Sequence, residues 1–95
     1  MKIQQNQVRV VSKELDKIYT FDQNGHCEVT LKYGQKWIGG GESELALWGI
    51  FLDVMSGYDI DEQSLDNYMT MHPELGQRLQ LDLHRAGREV IHAAA

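Results

Sequence analysis

Apolar residues in this chain change their spacing once, at Gly39-Gly40-Gly41, and that change limits what the chain can fold into. Before the glycines the spacing is two. Cys27, Val29, Leu31 and Tyr33 alternate with Glu28, Thr30 and Lys32, which places the two sets on opposite faces of a strand. Upstream, Gln7–Val11 and Lys17–Asp22 are rich in β-branched and aromatic residues. Asn24-Gly25 separates the second and third runs, and this dipeptide accepts the positive φ angles of a tight hairpin. Gly34-Gln35 marks another turn, and Lys36-Trp37-Ile38 a short fourth strand that the glycines break. The expectation is an antiparallel meander with one apolar face that needs a cover.

After the glycines the spacing is three and four. Ser43 is placed to cap a helix, with Glu44 at the positive end of its dipole. Leu45, Trp48, Phe51, Leu52 and Met55 form one stripe, and Leu47, Ile50 and Val54 widen it. That pattern predicts a helix buried on nearly all sides and stopped by Gly57. A second helix is expected to begin at Asp59-Ile60-Asp61-Glu62, where Asp59 and Glu62 have capping-box spacing, and to end near His72. Leu65, Tyr68 and Met69 form its apolar side. Pro73 suits the first turn of a last helix, with Leu75, Leu79, Leu83, Ala86, Val90 and Ile91 inward. Arg78, Asp82, Arg85 and Glu89 line its solvent side, and Leu81 fits neither set, so it is either exposed or against a partner. Strands followed by helices predict an α+β fold. A meander of three to four strands at the N-terminal end is covered on one face by two to three C-terminal helices, in a single domain over residues 1–95.

Composition agrees with one folded unit: 42% apolar and 24% charged residues in 95. The polar start, Met1–Gln7, has no secretory pattern, and no apolar run approaches the ~18 residues of a membrane span. One cysteine cannot form an internal disulfide, so a cytoplasmic setting is expected. The net charge of −5 is unevenly spread. Residues 1–41 carry +2, residues 42–73 carry −7 with no Lys or Arg, and the rest is neutral.

No motif for catalysis stands out. The triple glycine lacks the Lys-Ser/Thr of a phosphate loop, and Glu42 and Glu44 oppose an anion there, so a strand-to-helix hinge is the plainer reading. His26, His72, His84 and His92 form no zinc pattern, and Glu89-x-x-His92 lacks the other carboxylates of a di-iron site. Cys27 falls on an apolar strand face and His26 points the other way, so neither a nucleophile nor any metal or cofactor is expected. Asp59, Asp61, Glu62 and Asp66 do not follow a calcium loop. A basic sheet with Tyr19, Phe21 and Trp37 could stack bases, but its Lys and Arg are interleaved with acids, which makes direct nucleic-acid binding unfavourable.

The sharper expectation is a non-enzymatic protein-binding module. Asp59, Asp61, Glu62 and Asp66 would steer a basic partner, and Tyr58, Tyr68 and Met71 would supply buried contact. In size and acidity the chain resembles the small proteins with which phages and mobile elements block host machines, such as anti-CRISPR and anti-restriction proteins. That resemblance implies an inhibitor of a nucleic-acid-handling protein. The alternative is a structural subunit that pairs with a copy of itself through spare apolar helix surface, Leu81 included. A small enzyme is the third reading.

Overall fold

A computed structural model describes residues 2–90. The elements are β1 (Gln7–Val11), β2 (Asp16–Phe21), β3 (His26–Leu31), β4 (Trp37–Glu42), α1 (Ser43–Met55), β5 (Asp59–Ile60), α2 (Glu62–Met71) and α3 (Pro73–Arg85), with a 3-10 turn at Tyr33–Gln35. The fold is α+β, as the pattern predicts. The sheet is antiparallel throughout, in the order β4-β3-β2-β1-β5, and the three helices cover it.

The β2–β3 hairpin turns where Asn-Gly predicts. Gly25 has φ 83°, a value that costs glycine nothing. The Asp22 carboxylate accepts hydrogen bonds from the backbone N–H groups of Asn24 and His26 and fixes the loop. Alternation then sorts the faces. Val8, Val10, Tyr19, Phe21 and Cys27 point into the core, where they meet Leu47, Ile50, Phe51 and Val54 of α1, Leu65 and Tyr68 of α2, and Leu75, Leu79 and Leu83 of α3. Each fully buried aliphatic side chain contributes about 1.5–3 kcal/mol.

Several boundaries depart from the sequence reading. The glycines do not break the fourth strand. Gly39, Gly40 and Gly41 pair with Val29, Glu28 and Cys27, and the strand runs into α1 with no hinge between them. Glu42, not Ser43, takes the N-cap position of α1. β3 ends at Leu31, so Tyr33 leaves the alternating face and is exposed. Asp59-Ile60 is a strand rather than a first helical turn, because pairing with Val10 and Val11 buries Ile60. The α2 cap is therefore Asp61, whose carboxylate accepts from the Ser64 N–H at 2.6 Å. α3 stops at Arg85 and Gly87 turns the chain at φ 67°, so Ala86 lies outside the helix and Val90 packs on the core from beyond it. Ile91 and His92 lie outside the described residues.

The two sheet edges are treated differently. β5 is two residues long and covers little of β1. Side chains of α2 complete that edge: the Ser64 hydroxyl accepts from the Arg9 N–H, and the Asn67 amide donates to the Gln4 and Gln7 carbonyls. This satisfies the exposed ladder and ties α2 to β1 at once. β4, at the other end of the sheet, is six residues long, and no helix side chain is recorded bonding to its outer side among the described residues.

Candidate interaction surface

Of the residues expected to form an acidic, aromatic surface, two are buried. Tyr68 is fully buried, and its hydroxyl donates to the Leu47 carbonyl at 2.5 Å, so it is core and not contact surface. Asp61 is buried as the α2 cap. Met71 and Tyr58 are half-buried against the core cluster. Asp59, Glu62 and Asp66 are exposed, and only Glu62 and Asp66 share a helix face, by their i,i+4 spacing. The remaining acids of the middle third are spread further. Asp53 pairs with Lys17 at 2.8 Å, Glu44 approaches His72, and Glu42 ends β4. The fold also supplies cations the segment lacks, since Arg88 lies 3.9 Å from Asp59.

Chemistry is equally dispersed. His26 is on the hairpin near Asp22, His72 accepts from the Leu75 N–H as the cap of α3, and His84 lies in the last turn of α3. Among the described residues no three His, Cys, Asp or Glu could hold a metal together. Burial pushes the Cys27 thiol up to about 11, so it stays protonated at neutral pH. Burial, with the Asp53 hydrogen bond, also raises the Tyr19 phenol. Lys17 bonds Asp53 and Tyr19 and lies over the Tyr58 ring, a network that ties α1 to β2. Arg9 and Lys32 converge on Asp16. With three sheet cations paired and Tyr19 and Phe21 in the core, little of the stacking platform remains.

What the structure does expose is apolar. Leu45, Trp48, Leu52 and Met55 of α1 are 67%, 44%, 60% and 40% exposed. Their spacing in the sequence predicts a core stripe. The core instead takes Leu47, Ile50, Phe51 and Val54, because those face β1, α2 and α3 while the first set faces away. The four exposed residues recur at three, four and three, the spacing of a helix–helix seam. Together they present on the order of 400 Å² of apolar surface, a size at which a patch tends to be functional. Trp37 and Ile38 of β4 are exposed as well, Trp37 beside Thr30 on the sheet face opposite Cys27 and Val29. Between the start of α1 and the sheet a groove of about 280 Å³ runs along Gly40, Gly41, Leu45, Ala46 and Gly49, over a floor of Cys27 and Val29. It exists because the glycines put no side chains beneath α1. Leu81 is also exposed, on the outer side of α3.

The sequence held one signal for this surface. A helix that is apolar all round, in a chain this short, has more apolar faces than one sheet and two helices can cover. Comparison with protein-family models, curated proteins and solved structures returns no match for this chain.

Proposed function

We propose that this chain is a non-enzymatic assembly module that pairs with a second copy of itself through the outer face of α1 and the adjoining β4 side. The observation that carries this reading is the exposed Leu45-Trp48-Leu52-Met55 stripe. Helical spacing places no charged residue of α1 between these four, and antiparallel against itself the stripe sets Leu45 opposite Met55 and Trp48 opposite Leu52. The stripe offers on the order of 400 Å², about half of the ~800 Å² per partner of a standard interface, with the polar rim to supply the rest. The acidic segment supports a basic partner less well, because Asp61 and Tyr68 are buried and Arg88 lies beside Asp59.

Sedimentation equilibrium of the full chain from micromolar to near-millimolar concentration tests the reading. A monomer–dimer equilibrium is expected, abolished by Trp48→Glu with Leu52→Glu while circular dichroism stays unchanged. A wild-type chain that is monomeric across that range overturns it.

A further inference from the structure

We propose that the groove between α1 and the β3–β4 ladder binds a small aliphatic amine, with its hydrocarbon tail over Cys27 and Val29 and its ammonium at the Glu42 carboxylate. The site is separate from the self-pairing surface and does not depend on it.

Glycines that the fold does not itself require keep this groove open. Gly40 has a reason within the chain, because a Cβ there would lie 2.6 Å from the Cys27 carbonyl oxygen. Gly41 and Gly49 have none. A Cβ on either meets nothing within 4 Å, and neither has a positive φ. Gly41 pairs with Cys27, so a side chain there would point as the Cys27 thiol does, over the sheet toward α1. Gly49 lines the same space from the opposite wall, inside a helix where alanine would be favoured. Two glycines on different elements thus withhold their side chains from one space. Methyl groups in it would bury apolar surface and stabilise the chain. Glycine kept in a strand without such a reason marks the close approach of another molecule.

The lining sets the chemistry of the occupant. Tyr19, Cys27, Val29, Leu45 and Ala46 give it an apolar surface. The Tyr19 hydroxyl is taken up by Asp53, and the buried Cys27 thiol is protonated at neutral pH, so neither brings a charge. Among the described residues that line the groove, Glu42 alone is charged. Its carboxylate makes no cap hydrogen bond and joins no ion pair among the described residues. His26, across the ladder from it, lies 3.8 Å from Asp22 instead. An apolar trough that ends in an unpaired carboxylate matches an alkylammonium ion, and it repels a fatty acid or a phosphate. The size is also limited. About 280 Å³ holds roughly nine non-hydrogen atoms at ~30 Å³ each. The α1 wall from Glu42 to Gly49 is ~10 Å long at 1.5 Å per residue, so an unbranched chain fits along it.

An NMR titration of the isotope-labelled full chain with n-octylamine at neutral pH tests the site, with n-octanol and octanoate as probes that keep the tail and change the head. The amide signals of Gly41, Ala46 and Gly49 should move and saturate with a Kd on the order of 0.1–1 mM. Octanol should bind roughly threefold to fivefold more weakly, and octanoate more weakly still. Glu42→Gln should bring octylamine down to the affinity of octanol. Gly49→Ala should raise Tm by ~4–8 °C and yet weaken octylamine about tenfold, a loss that misfolding cannot explain in a more stable chain. Trp48→Glu with Leu52→Glu, which disrupts the exposed stripe and spares the groove, should still bind. Signals that move only at Trp48, Leu52 and Met55, three probes that bind alike, or a Gly49→Ala chain that binds as wild type does would each overturn the site, as would no movement at Gly41 and Gly49.

Discussion

At the scale of single residues, the fold depends on polar groups buried with partners. Asp16 is 5% exposed and takes both Arg9 hydrogen bonds, at 2.8 and 2.7 Å, with Lys32 at 3.5 Å. Burial disfavours its charge, but the Arg9 bonds and the two cations outweigh that and hold its pKa below the usual value. A depressed carboxylate stabilises the native state above the unfolded pKa of about 3.9 and loses that contribution as pH falls below it. Asp16→Asn should therefore cost about 2 kcal/mol near neutral pH in urea unfolding, with the gap to wild type closing below about pH 4. Gly76 shows crowding. A Cβ there would sit 2.6 Å from the Met69 Cα, where α2 and α3 cross, so Gly76→Ala should destabilise by about 1–3 kcal/mol. Cys27 should react with thiol reagents far more slowly in the native state than in urea, because its thiol is buried and protonated.

Elements differ in how much of them the sequence showed. The hairpin was legible because Asn24-Gly25 has few other uses between two strands. α3 was legible because Leu75, Leu79 and Leu83 form a single stripe against polar neighbours, and Pro73 starts it. β5 was not. Two residues carry no periodicity, and Ile60 reads as strand only once Val10 lies beside it. α1 was misread for the opposite reason, an excess of apolar residues. Two stripes compete there, and neighbouring elements chose Ile50 over Trp48. No sequence pattern marks Arg88, although its guanidinium donates to the Val54 and Tyr58 carbonyls at 2.5 and 2.7 Å and closes the C-terminal end of α1. Arg88→Ala should lower stability by about 1–2 kcal/mol in thermal unfolding without altering the dimer.

For the whole molecule, the charge total says less than its placement. The middle third carries −7 with no cation of its own, yet Lys17 and Arg88 reach two of those acids from distant parts of the chain. An association driven by the α1 face should accordingly hold, within a few-fold, between 0.1 and 1 M salt. Steering by an acidic patch would collapse over that range. Light scattering across a salt series separates the two. The sequence by itself determined the class of fold, because a spacing of two cannot make a helix and a spacing of three and four cannot make a strand. It also determined the hairpin, where only particular residues accept the backbone angles. Tertiary structure decided which apolar face of α1 is core, which acids meet cations, and that the glycines extend an open edge. Those outcomes depend on what lies across the fold from each residue, and a local pattern carries no record of its distant neighbours.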